Sequence, residues 1–204
     1  MAQLSTHLHF AKLVLENIQD DIEIPPFLLG ITAPDTYTNN KTYLKYHYIK
    51  DRDNGDDDID VHEFYEKFNF NKLSKSLKWF VIGYYAHLWF DEYIKFNTNR
   101  LTLRNNEGLE DKELSKCIKD LFKHYDRQIT EDYYNDIIKK NVENFKLNLN
   151  LKPLKFIKVD RCKEVLMNEL SKGPVNDVKE DLIYKEDYLE LIDNSVEKFL
   201  KSLN

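Results

Sequence analysis

Within the most apolar stretch of the chain, residues 83–91 read Gly-Tyr-Tyr-Ala-His-Leu-Trp-Phe-Asp and set His87 and Asp91 four residues apart. On a helix these positions share a face, so an imidazole nitrogen and a carboxylate oxygen converge on one point. That is the spacing of a metal-ligand pair. It is equally the spacing of a core histidine hydrogen-bonded to its own aspartate, and for this pair alone the two readings weigh about the same. Three groups earlier in the chain move the balance toward a metal: His7 on the apolar face of the first helical pattern, Asp35 after Ala33-Pro34, and His47. Desolvating so many polar groups is expensive unless a cation compensates.

Each of these residues needs an element to hold it. Thr6 or Ser5 is expected to cap a helix whose inner face is His7, Phe10, Ala11, Val14 and Ile18, with His9 at the edge of that stripe. Pro25-Pro26 is expected to stop this segment, Phe27 to Gly30 to make a short apolar turn, and Asp35 to lie on a loop braced by Pro34. Residues 36–48 lack a clean period and are expected to be irregular or weakly helical, with His47 near their end. A long helix from about Leu73 to Lys95 carries His87 and Asp91, and Gly83 and Ala86 leave room beside them for a neighbouring backbone.

Amphipathic patterns then predict helices over Leu109 to about Asp126, about Thr130 to Phe145, Val159 to Leu170 and Asp187 to Leu203, with a further helix start at Pro153. In the second of these, Tyr133, Tyr134, Ile137, Ile138 and Val142 are expected to face inward. No strand-like alternation is sustained. The expected class is all-α, a multi-helix bundle forming one domain over residues 1–204.

Read in order, Thr6-His7, then Phe27-Leu28-Leu29-Gly30 with Ala33-Pro34-Asp35, a lysine-rich approach to His47-Tyr48, and Gly83-Tyr84-x-Ala86-His87-Leu88-x-x-Asp91 resemble the zinc-dependent phospholipase C family, structural kin of P1-type nucleases. The resemblance runs from residue 6 to about residue 92, and from Asn97 onward nothing is recognised, so the C-terminal half is divergent. It implies a helical fold in which Asp35, His47, His87 and Asp91 hold one zinc ion, while Asp91 bridges to a second held by His7. It also implies hydrolysis of phosphate esters, with Asp35 carried over as a general base. The mixed imidazole and carboxylate ligands suit manganese or iron as well as zinc.

The departures matter too. Family members bind the second zinc through the amine and carbonyl of an N-terminal tryptophan, whereas this sequence opens Met-Ala-Gln, so that site is short of ligands. His9, His62, Glu92 or water are the candidates to fill it. For the family's third zinc, Asn97 stands near the place of one histidine, and His124 is followed four residues later by Gln128 instead of a glutamate. His124, with Asp120 one turn earlier, and His62 are read as exposed helix histidines. Tyr84 or Tyr85 is a candidate to hydrogen-bond a phosphate.

The remaining features set bounds. The net charge of −6 is interleaved with lysines, so no phosphate-backbone footprint is visible and nucleic acid is not the expected partner beyond a nuclease-like substrate. Cys117 and Cys162 lack CxxC spacing and are expected to be reduced core thiols. No secretory pattern opens the sequence, and the apolar run from Trp79 to Phe90 is well short of the roughly 20 residues a membrane span needs, so a cytoplasmic protein is expected. The acidic stretch 51–64 misses the register of a calcium loop and is expected to be solvated, with Asp60 capping a helix. The leading expectation is a metal-dependent hydrolase acting on a small phosphate ester. The alternative is a catalytically silent metal-binding or interaction protein on the same scaffold, and the sequence does not fix an oligomeric state.

Overall fold

The computed structural model describes residues 2–19, 21–50 and 58–203, so most of the acidic stretch falls outside the described residues. Among these, the chain forms nine α-helices: α1 (Leu4–Asn17), α2 (Ile24–Thr32), α3 (Asn40–Tyr46), α4 (Val61–Glu66), α5 (Lys75–Asn97), α6 (Asp111–Thr130), α7 (Asp136–Asn144), α8 (Val159–Leu170) and α9 (Lys185–Ser202). A two-residue antiparallel ladder pairs Ile49 with Ile59, and the class is all-α. No helix among the described residues is long and apolar enough to cross a membrane.

α5 is the axis of the fold. Ser74 caps it, its Oγ accepting from the Leu77 amide at 3.3 Å, and every residue from Trp79 to Leu88 is buried. A helix apolar on all sides must be wrapped by others. α2 lies along it so closely that a Cβ on Gly83 would stand 2.2 Å from the Phe27 carbonyl oxygen, and one on Gly30 2.1 Å from that of Phe80. Only glycine at both positions permits this approach. α1 packs beside them, its Phe10 ring stacked on Phe90 at 4.4 Å, and α6 and α9 close the other side of α1.

Several local expectations need correction. Pro25 and Pro26 do not end a segment; they open α2, where the first turn has no use for their missing N–H groups. Ser5 and Thr6 lie inside α1, whose N-cap is Gln3. Asp35 sits in a 3-10 turn, Ala33–Thr36, directly continuous with α2. α7 begins only at Asp136, which turns Ile137 outward to 70% exposure while Tyr134 and Val142 stay buried. The segment before His47 is a true helix, α3, closed by reciprocal side-chain to backbone bonds between Asn39 and Thr42, yet none of its residues is buried. Asp60 caps α4 as expected, accepting from the Glu63 amide at 2.8 Å.

Both cysteines are free, and burial pushes the Cys162 thiol up to about 12. Iodoacetamide should therefore label the half-exposed Cys117 in the folded protein and leave Cys162 untouched until denaturant is added; mass spectrometry reads the difference. Gly83→Ala should destabilise the protein by at least about 2 kcal/mol in urea unfolding, because the clash is with backbone and cannot be relieved by a rotamer change.

Candidate metal centre

Three helices and one turn deliver five side chains to a single point. α5 supplies His87 and Asp91, α1 supplies His7, the C-cap of α3 supplies His47 and the 3-10 turn supplies Asp35. His7, His87 and Asp91 are fully buried, His47 is 1% exposed, and the Asp35 side chain alone keeps appreciable exposure, at 20%.

Backbone carbonyls fix two of the imidazoles. The His87 Nδ1–H donates to Ile31 O at 2.7 Å and that of His47 to Tyr43 O at 3.1 Å, which leaves the Nε2 lone pair of each ring pointing into the centre. This is how metal-binding histidines are usually oriented. The two Nε2 atoms stand 3.3 Å apart, a spacing that either a proton shared between the rings or a metal ion bound to both lone pairs would satisfy.

Asp91 divides its oxygens between two sides. Oδ2 lies 3.4 Å from His87 Nε2 and 3.7 Å from His47 Nε2, and Oδ1 lies 3.4 Å from His7 Nε2. Asp35 Oδ1 is 3.7 Å from His47 Nε2. Two ligands on one tetrahedral zinc, each about 2.1 Å from it, stand about 3.4 Å apart. The observed spacings fall near that value, and the ligand atoms form two groups that share His87: those of Asp35, His47 and His87 lie within 4.8 Å of one another, and so do those of His7, His87 and Asp91. Asp91 Oδ1 also accepts the Ala2 backbone N–H at 2.7 Å. Both ring nitrogens of His7 and Asp91 Oδ2 are buried without a hydrogen-bond partner. Buried polar atoms of this kind are rare in native proteins, and here they converge.

The electrostatics point the same way. Burial alone would raise the Asp91 carboxyl, but its contacts with His7 and His87 outweigh it and hold the group well below its ordinary value. Burial likewise opposes ionisation of Asp35, and its contact with His47, with His87 and His7 nearby, overrides it, so this carboxyl is lowered as well. Both carboxyls are thus kept ionised, the state in which a carboxylate binds a cation.

The other expected residues stand apart. His9 is buried and its Nδ1 bonds Asp126 Oδ1 at 2.9 Å, away from the cluster. His62 is exposed on α4, as expected. His124 is not the exposed histidine predicted: it is half-buried, donating Nδ1–H to Val175 O at 2.5 Å. Asn97 turns its amide back to Tyr93 O at 2.7 Å, so neither of these supplies a third ion. Tyr84 is fully buried with its hydroxyl on Tyr46 O at 2.5 Å, and Tyr85 is 3% exposed, so neither phenol is available to a phosphate. The sequence reading missed Tyr37, 40% exposed, whose ring stands edge-on to His47 at 5.8 Å beside the open, Asp35 side. Burial and the charges of Asp35 and Asp91 push its phenol up, which keeps it a hydroxyl donor.

A cavity of about 540 Å³ opens between the start of α1, the end of α5 and the start of α6. Its lining is mainly apolar, including Ile94, Leu101, Leu114 and Ile118, and none of the five clustered side chains lines it, although Ala2, which does, bonds Asp91 through its backbone N–H. The chemistry resides in the side-chain cluster instead. No family model matches the chain, and no curated protein or solved structure does so either.

Zinc at about a hundredfold its dissociation constant should stabilise the protein by about 2.7 kcal/mol, a rise of roughly 5–10 °C in Tm. His87→Ala should abolish the rise and His62→Gln should keep it. An unchanged Tm for the unmodified protein would leave the five residues without an ion.

Proposed function

We propose that this chain is a metal-dependent phosphoesterase of the phospholipase C and P1 nuclease kind, holding one ion firmly between Asp35, His47, His87 and Asp91 and a second more weakly between Asp91 and His7. The observation that carries this reading is the position of Asp91, whose Oδ1 stands 3.4 Å from His7 Nε2 while its Oδ2 stands 3.4 Å from His87 Nε2 and 3.7 Å from His47 Nε2. A divalent ion in such a site supplies Lewis acidity and an activated water near neutral pH.

The side chains have separable tasks. His47 and His87 are held in one tautomer by the Tyr43 and Ile31 carbonyls, so they meet a substrate complex already oriented. Asp91 sets the distance between the two halves of the centre. Asp35, on the open side, is where a phosphate ester would arrive, and Tyr37 beside it offers a hydroxyl to a phosphoryl oxygen. Asp35 serves there as a ligand, and the general-base role that the resemblance implies for it belongs to the same proposal. Zinc is the favoured ion from the histidine-rich donor set, with manganese or iron as alternatives. The substrate is a small phosphate ester, and a cytoplasmic setting with reduced cysteines is part of the same reading.

A second reading is favoured by one observation: four of the five ligands are at most 1% exposed, as suits a structural or silent metal site on the same scaffold. Turnover decides between them. Zinc-loaded protein should hydrolyse p-nitrophenyl phosphate or its diester, chelation should stop it, and Asp91→Asn should lower kcat at least about a hundredfold. Zinc bound with no turnover on either ester would select the silent site.

A further inference from the structure

α1 presents a second buried polar group that the proposed chemistry does not use. Asp126 on α6 is fully buried, and its carboxylate accepts three hydrogen bonds: from Thr6 Oγ1 at 2.7 Å on Oδ2, and from His9 Nδ1 at 2.9 Å and Tyr188 Oη at 2.6 Å on Oδ1. Two of the three donors belong to α1 and flank His7. With about 100° of helical rotation per residue, Thr6 and His9 share one face and His7 points away from it. Asp126 therefore grips α1 from behind the residue that faces the metal centre.

His7 needs such a grip more than the other histidines do. His47 and His87 are each oriented by a carbonyl on Nδ1, whereas neither nitrogen of His7 makes a hydrogen bond. Its ring is located by stacking on His87, with centroids 3.6 Å apart and planes 11° from parallel, and by the edge of Phe90 at 5.4 Å. Stacking sets the height of a ring above its neighbour but leaves sliding and rotation in the plane soft. What remains to fix Nε2 opposite Asp91 Oδ1 is the position of the α1 backbone itself.

We infer that Asp126 is the positioning residue for His7, a clamp on Thr6 and His9 that sets the rotation of α1 and so holds the weaker, His7-side ion. The inference rests on the metal reading above. It assigns no ligand and no catalytic role to Asp126, and it makes geometry, not the charge of the carboxylate, the means of action. An asparagine would preserve that geometry: its amide oxygen accepts from His9 and Tyr188, and its amide nitrogen donates to the Thr6 hydroxyl, which turns to accept.

Cobalt(II) titration of the metal-free protein, followed by visible absorption and by ion count per chain, separates the two sites. The unmodified protein should take two ions, the second more weakly, and His7→Ala should lose the second alone. Asp126→Ala should weaken the second ion by about tenfold or more, the range found when the supports of metal ligands are removed, and leave the first unchanged. Asp126→Asn should restore the second ion to within about threefold. Asp126→Ala with normal helicity and both affinities unchanged would overturn the inference, as would an Asp126→Asn as damaged as the alanine, since charge would then be the agent. If Asp126→Ala does not fold, the near-isosteric Thr6→Val decides, with a several-fold loss of the second ion expected and no loss overturning the clamp. An unmodified protein that takes up no cobalt would instead remove the metal reading, a distinct outcome.

Discussion

Where α2 crosses α5, the backbones at Gly30 and Gly83 come as near as two helices can, and side chains larger than a hydrogen atom would collide with the opposing carbonyls. Close approach of this kind shortens the path from one helix's backbone to the other's side chains. One residue beyond Gly30, the Ile31 carbonyl is thereby brought within 2.7 Å of His87 Nδ1. One helical turn further along α5 lies Asp91, and a short 3-10 turn after α2 carries Asp35 to the same place. The register of these two helices thus fixes three of the five ligands. The remaining two arrive on α1 and α3, and each is secured by its own small device.

The cluster also shows how a protein can tolerate polar groups at its centre. Five side chains with ligating atoms converge, two carboxylates among them, and contacts with the histidines hold both carboxyls below their ordinary values despite burial. Hydrogen bonds made within the chain stop short of completing the arrangement, since His7 and Asp91 Oδ2 make none. By contrast, the Asp126 group is closed, with three donors meeting one carboxylate. Two buried polar assemblies therefore lie on either side of α1, one satisfied by the protein and the other open to an ion.

The helical class, the long α5 and α8, and the shared face of His87 and Asp91 were legible in the sequence because each rests on local signals, apolar period and spacing; that His7, Asp35 and His47 join them was implied by the resemblance to the phospholipase C family and by no local signal. α8 matches its expected bounds, Val159–Leu170. What was not legible depended on partners distant in sequence. His9 looked peripheral because it sits at the edge of the apolar stripe, but the first half of α1 is enclosed on all sides, and its partner lies 117 residues away. Thr6 and His9, two polar residues at i and i+3 on a helix too apolar for them, were the available sign that a buried acceptor was needed. The paired prolines were misread as a stop because the same residue type both ends and begins helices. Tyr37 carried no periodic signal at all, and only the turn that follows α2 places it beside the centre.

The burial of the ligands is uneven, and that has a kinetic consequence. His7, His87 and Asp91 are sealed beneath aromatic packing, while Asp35 lies partly exposed on a turn and His47 follows a seven-residue helix that buries nothing. Such an arrangement divides the ligands by what must move to release them. Asp35 and His47 can swing with a short turn and a seven-residue helix, whereas His7, His87 and Asp91 can shift only with the packed helices α1 and α5. Exchange at the proposed centre would therefore be set by the two lightly held ligands, and its rate would follow the local opening of that turn and helix more than the stability of the whole fold.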